Sequence, residues 1–333
     1  MKIVRTLARV LATTALVASA TSAMSADIAV IGGSNDDAFW NIIKKGLDDA
    51  TPAIVANGGS VNYLRLVNYD NFAPDVVQLI RTAISMEVDG LVIPNWVPEA
   101  EDPAIKDAMA AGIKVILMNA GGAEKARELG AINYVGSDEY IAGVAGGEYF
   151  GGKGQKNVLC VNTIPGAANL EARCQGVIDG ITGKGGKAAQ LPLPSTSFGD
   201  ATAVAEAIKA ELLKDESIDG IITISAGDAD AAAVGIDQAG KTGTTMLGTF
   251  DLNGAGLDRI KGGTQLFAID QQPYLQGFLA TTLLASAIDF GTSLPTFPVL
   301  TGPGIVDASN IDATLTGVSK GARCRGSDLF RSA

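Results

Sequence analysis

At 333 residues the chain is long enough for two domains of ordinary size. With 47% hydrophobic and 18% charged residues it has the material for a large packed core, which excludes a chain disordered as a whole. A formal net charge of −11 argues against nucleic acid or an anionic membrane as the main partner.

The first stretch reads as a leader rather than as fold. Lys2, Arg5 and Arg9 form a positive region, Val10 to Ala18 an apolar one, and small residues follow, with Ala20, Ala23 and Ala26 as candidate cleavage points. About ten apolar residues are too few to span a bilayer. The expectation is a signal peptide over residues 1–26 and an exported, soluble protein.

From Asp27 the pattern alternates strand and helix. Strands are predicted at Ile28–Ile31, Val61–Leu66, Leu91–Ile93 and Val115–Met118, with helices over Phe39–Val55, Val76–Ile84 and Pro103–Ala110 between them. The rhythm then restarts, with strands at Ile132–Val135, Val158–Val161, Ala189–Leu193, Ile218–Ile224, Met246–Phe250 and Gln265–Ile269. The intervening helices are Tyr140–Tyr149, Leu170–Ile181, Ala201–Leu213, Asp228–Gln238 and a short segment carrying Leu257 and Ile260, and a long helix, Tyr274–Ile288, closes the series. Short continuous apolar strands separated by amphipathic helices mean an α/β chain with parallel sheets covered on both faces. Two such series suggest two Rossmann-like lobes. The expected division is residues 27–134 plus about 272–300, then 135–271 plus about 301–318, with a loose tail over 319–333. Crossings between lobes are expected near Asn133, Asp270 and Leu300.

Leu247–Pro273 organises the rest. It places Asp251 and Gln271 just beyond the carboxyl ends of two successive strands, where open α/β sheets bind ligands. Ser34–Trp40 follows the first strand and opens the first helix. Asp36 or Asp37 can cap that helix, while Phe39 and Trp40 serve either as core or as a flat platform for a sugar ring. Asn95, Trp96 and Asn119 stand after the next strands. Arg173 lies on a helix among small residues, read either as a surface cation paired with Glu171 or as a ligand contact. Phe198 and Asp228 follow later strands.

Histidine is absent, which removes Ser-His-Asp and Cys-His nucleophile systems and most zinc sites. Gly235–Thr242 matches the P-loop pattern, but a helix precedes it and a strand follows, the reverse of a phosphate-binding loop. Neither metal nor cofactor is expected. Of the three cysteines, Cys160 at a strand end and Cys174 on the next helix are close enough in sequence to pair, but two buried small hydrophobes are the simpler expectation. Cys324 in the tail has no assigned role.

Taken together, Asn35–Trp40, Gly136–Asp138 with the small-residue run Ala142–Gly147, Ala172–Gly176, Phe250-Asp251 and Asp270–Pro273 resemble the periplasmic sugar-binding proteins of ABC importers, of the ribose-binding type. The resemblance runs from Asp27 to about Gly317. It implies a type I periplasmic binding fold, no catalysis, a monomer, and delivery of a monosaccharide or polyol to a membrane permease. It also implies a ligand site made of Asp37, Phe39, Trp40, Arg173, Phe198, Asp228, Asp251 and Gln271, to which the strand-end positions of Asn95 and Asn119 add two more candidates. Where the ribose pattern has Asp-Arg after the fourth strand, this chain has Asn119-Ala120, so a neutral sugar or polyol is expected and ribose is not singled out. An amino sugar is the alternative ligand, and a chemotactic role is compatible with transport. A DNA-binding regulator would need a helix-turn-helix where the leader stands, and an exported carboxylate-dependent hydrolase would have to show turnover. Arg173 and Asp251 are expected to contribute to binding and, if exposed in an open form, little to folding.

Overall fold

The computed structural model describes residues 25–294 and 296–319. The leader's charged and apolar regions, its cleavage points at Ala20 and Ala23, and Cys324 lie outside them. Ala26, placed above in the leader, is packed in the core, and its carbonyl accepts a hydrogen bond from the Ser60 amide.

The first series runs β1 (Asp27–Gly32), α1 (Ala38–Ala56), β2 (Ser60–Arg65), α2 (Phe72–Ser85), β3 (Gly90–Ile93), α3 (Pro98–Ala110), β4 (Lys114–Met118), α4 (Gly122–Leu129) and β5 (Asn133–Ser137). The second runs α5 (Glu139–Lys153), β6 (Asn157–Asn162), α6 (Ala168–Gly183), β7 (Lys187–Pro192), a 3₁₀ turn at Ser195–Ser197, α7 (Ala201–Lys214), β8 (Gly220–Thr223), α8 (Ala226–Gln238), β9 (Met246–Phe250), α9 (Gly254–Gly262) and β10 (Gln265–Asp270). The chain then makes α10 (Pro273–Asp289), β11 (Val299–Gly302), β12 (Gly304–Asp307) and α11 (Ile311–Ser319).

Two six-stranded sheets result, ordered β11-β5-β4-β3-β1-β2 and β12-β10-β9-β8-β6-β7. Every pairing is parallel except β10 with β12, which is antiparallel. The central strands β3 and β8 are buried from end to end and β1 from Ile28 onward, as their uninterrupted apolar runs require in a sheet with helices on both faces. The chain passes between the sheets after Ser137, after Asp270 and at Pro303. Helix α10 returns to pack on α1 and beneath β3, β4 and β5.

Helix α4 was not expected, because only Ala126 and Leu129 in its eight residues are buried and its apolar period is too short to read. Strands β11 and β12 are four residues each and also escaped notice. The strand expected over Ile218–Ile224 ends at Thr223, because Ser225 turns the chain and caps α8 by accepting from the Asp228 amide.

The small-residue run in α5 has a packing role. Gly143 and Gly147 face Gly176 and Gly180 of α6, and a Cβ at any of the four would run into a carbonyl of the other helix. Those glycines let the two helices approach closely enough to fix the position of Arg173. A disulfide joins Cys160 to Cys174, with Cα atoms 5.6 Å apart. The expectation of two unpaired buried cysteines is thereby corrected: strand β6 and helix α6 pack face to face, within cross-linking distance.

Candidate functional site

The carboxyl ends of both sheets meet across one cleft, and the turns there carry the polar residues. Asp37 caps α1 through the Phe39 amide, Asp200 caps α7, Ser225 caps α8 and Asn253 caps α9. Two further residues at strand ends, Asn119 and Asp251, sit in the left-handed region with φ of 66° and 70°. Such conformations cost on the order of 1–3 kcal/mol each and persist at ligand clamps. The two sides touch across the cleft: the Ala168 amide donates to the Trp96 carbonyl (2.7 Å), and the Tyr69 and Phe198 rings meet edge to face, centroids 4.8 Å apart.

The cleft has an inner and an outer chamber, of about 50 Å³ and about 340 Å³. Trp40, Asn119, Arg173 and Gln271 line the inner one, Asp228 lines the outer one, and Asp37, Phe39, Phe198 and Asp251 line both. Nine of the ten expected residues therefore converge. Asn95 does not. It is buried behind the cleft, where its amide donates to Asp102 of α3 (2.7 Å), because the turn after β3 folds down onto that helix.

At the centre is a polar chain. Arg173 donates through Nε to Glu139 Oε2 (2.6 Å), through Nη1 to the Ile224 carbonyl (2.9 Å) and through Nη2 to Gln271 Oε1 (2.8 Å), while its guanidinium lies 4.5 Å from the centre of the Phe250 ring. Gln271 in turn donates from Nε2 to Asp251 Oδ1 (2.5 Å). Arg173 is only 3% exposed. The surface cation paired with Glu171 is thus corrected: Glu171 instead accepts from Asn162 and the Gly166 amide, and the counter-ion is Glu139 at the start of α5. Burial pushes the Glu139 carboxyl up and the adjacent guanidinium pulls it back.

Aromatic rings wall the first-sheet side. Trp40, 3% exposed, packs edge-on against Phe39 and Trp96 with centroids 5.4 and 5.3 Å away, so it is core on one side and chamber wall on the other. Asn119 donates to Gln276 (3.3 Å). Asp37 accepts from the Tyr69 hydroxyl (2.8 Å), and Asp228 from Thr163 and Ser225 (2.9 Å each). The sequence reading missed Tyr69, Glu139 and Asn169. Asn169 lies one turn before Arg173 on α6, lines the inner chamber, and has a buried Oδ1 with no hydrogen-bond partner among the described residues. Its spacing of four residues from Arg173, which puts both on one helix face, was the available signal.

Burial raises three cleft carboxyls: Asp37 in direction, Asp228 to about 6, and Asp251 to about 7 despite the opposing pull of Arg173. The folded state then retains protons that the unfolded chain, with ordinary carboxyls, has already released. The stability these carboxyls contribute to the ligand-free protein is full below about pH 4 and is lost as pH rises through 6 and 7. No histidine titrates in that window, but Glu101, buried in α3 and raised to about 8, adds to the decline at its upper end. Thermal midpoints measured between pH 5 and 8 should decline, and Asp251→Asn should flatten the upper part; a parent midpoint that rises with pH would contradict the burial of these groups.

The periplasmic binding protein domain family matches residues 28–293 of this chain. The chain belongs to that family. A carbohydrate transporter protein from Acidothermus cellulolyticus 11B, solved in complex with myo-inositol, is 35% identical with a TM-score of 0.80, covering 90% of this chain and all of that one. An ABC transporter solute-binding protein from Burkholderia graminis C4D1M, solved with D-arabinose, is 25% identical with a TM-score of 0.74, covering 87% and 97%. The xylose/arabinose-binding protein XylF of Sulfolobus acidocaldarius is 27% identical over 259 residues, 72% of this chain. The match spans 62% of that relative's own length. The two-lobed α/β fold is the type I periplasmic binding fold, and the chain stands among solute-binding proteins, not enzymes. Among the described residues no helix is long and apolar enough to cross a membrane.

Proposed function

We propose that this protein is the solute receptor of an ABC-type importer, binding one neutral sugar, polyol or cyclitol between its lobes and handing it to a membrane permease. The observation that carries this reading is the Glu139–Arg173–Gln271–Asp251 chain facing aromatic walls at the meeting of two sheets. Rings cover the apolar faces of a sugar, and paired carboxylates, amides and the guanidinium match its hydroxyls, since a buried unpaired hydroxyl costs about 1–3 kcal/mol. Ligands in the relatives' structures, myo-inositol and D-arabinose, support this class. Ligand contacts on both lobes favour closure by differential affinity for the closed state. We assign the lobes to residues 27–137 with about 271–302, and 138–270 with about 303–319, because β5 and β11 complete the first sheet and carry the expected boundaries at 134 and 300 a few residues further on. We further infer export by the leader, cleaved at Ala20 or Ala23 so that the core residue Ala26 is retained, and action as a periplasmic monomer. The Cys160–Cys174 disulfide suits an oxidising compartment.

The charge balance refines the ligand. Asp37, Asp228 and Asp251 line the cleft against one guanidinium that Glu139 already pairs. A carboxylate or phosphate ligand would meet poorly screened repulsion there, and no second arginine follows β4, where Ala120 stands. Calorimetry across neutral sugars, cyclitols, amino sugars and sugar phosphates is expected to rank a neutral ligand first and an amino sugar second. Tightest binding of a phosphorylated or acidic sugar would defeat the charge argument.

A further inference from the structure

The space in the cleft is unequally divided. The polar chain that would grip a sugar faces the inner chamber of about 50 Å³, whereas most of the volume, about 340 Å³, lies in the outer chamber. Small-molecule pockets run to roughly 300–1,000 Å³, so the inner chamber alone is undersized and the outer one is not. The two adjoin, with Asp37, Phe39, Phe198, Ser225 and Asp251 lining both. Both sheets supply the outer wall: Ile42 and Tyr274 come from the α1 and α10 side, Leu252 and Asn253 from the turn after β9. These walls set apolar and aromatic surface beside the amides of Asn253 and Gln272 and seven aspartates, with no lysine or arginine among the lining residues, so they are more acidic than the inner chamber, where two aspartates face Arg173.

Resting on the reading of a sugar receptor, we propose that the outer chamber is a second subsite that takes a neutral second ring, so that the preferred ligand is a two-ring glycoside of a sugar or cyclitol. The first ring sits against Arg173, Gln271 and Asp251 and extends out of the inner chamber as far as Asp228. The second lies between Tyr274 and Leu252 and offers its hydroxyls to Asn253 and the surrounding carboxylates. A second ring there bridges both lobes and adds to the free energy that favours closure. Repulsion excludes an anionic second group on the same grounds as for the first.

Calorimetry on the full chain tests this with D-arabinose, D-xylose, D-galactose and myo-inositol as one-ring probes, and arabinobiose, xylobiose and galactosyl-myo-inositol as their two-ring counterparts. At least one two-ring probe is expected to bind tenfold or more tightly than its own components. Ala201, exposed at the first position of α7 and lining only the outer chamber, supplies the control. Ala201→Trp should cost the two-ring probe tenfold or more while changing one-ring affinity less than threefold; Ala38→Phe, at the start of α1, should act alike from the opposite wall. Two-ring probes that all bind more weakly than their components, or an Ala201→Trp effect equal on both classes, would overturn the second subsite and leave the sugar receptor standing. A parent that binds none of the seven probes would overturn the receptor reading itself.

Discussion

Arg173→Ala is expected to abolish measurable ligand binding and to destabilise the fold by about 3–5 kcal/mol, the usual cost of removing one partner from a buried ion pair. The affinity loss follows from geometry. Arg173 holds Gln271 through Nη2, and Gln271 holds Asp251, so one truncation releases three of the groups expected to meet the ligand. Two charge-assisted hydrogen bonds of about 1.5–3 kcal/mol each correspond to at least a hundredfold. The stability loss follows from burial: Glu139, 7% exposed, would be left as an uncompensated carboxylate whose other oxygen, Oε1, already has no hydrogen-bond partner. Arg173→Lys should recover little of either, because one ammonium cannot reach Glu139, the Ile224 carbonyl and Gln271 together. Glu139→Gln separates the effects, since it removes the charge to be compensated and keeps a hydrogen-bond acceptor for Nε. Urea denaturation alongside calorimetry makes the comparison. An Arg173→Ala variant as stable as the parent would mean that the pair opens to solvent in the ligand-free protein.

That outcome differs from the small folding effect expected on the sequence alone, and the reason is instructive. An arginine among Ala, Cys and Gly gives no sign of its depth until its helix is packed. The α5–α6 glycine seam draws the helix inward and brings Glu139 from a different element, 34 residues away, under the guanidinium. Partners that distant in sequence leave no periodic trace. Residues that stand directly after an apolar strand were legible because strand ends face the cleft in such sheets: Asn119, Asp251 and Gln271 come from that rule, and Asp37 from capping the helix that follows β1. The rule failed for Asn95, where the chain after β3 turns down onto α3 instead of out toward the cleft. The fold was legible from its unbroken β-rich runs, and the elements missed were those too short to show a period, α4, β11 and β12. The disulfide was undecided because spacing alone does not report whether a strand and a helix pack with their cysteines facing.

The Cys160–Cys174 bond gives the second large effect. It closes a loop of 14 residues, and cross-linking a loop of that size contributes about 3 kcal/mol on the chain-entropy account. Both sulfurs are buried, so Cys160→Ala with Cys174→Ala is expected to lower the thermal midpoint by several degrees. The bond also has a place in the site. Cys174 adjoins Arg173 in α6, and Cys160 lies in β6, the strand that leads to Thr163 and its hydrogen bond to Asp228. The cross-link thus ties the helix carrying the guanidinium to the strand that positions a cleft carboxylate. On the opposite face of α6 the glycine seam already fixes the helix against α5. Loosening one anchor and keeping the other lets the helix tilt rather than detach. Affinity for whichever sugar binds best is therefore expected to fall by about tenfold, roughly the loss of one well-placed hydrogen bond. The parent chain refolded under reductant, with both thiols intact and their volume preserved, separates the cross-link from the packing of the sulfurs. If the reduced parent matches the oxidised one in both midpoint and affinity, the bond is incidental and packing alone holds Arg173 in place.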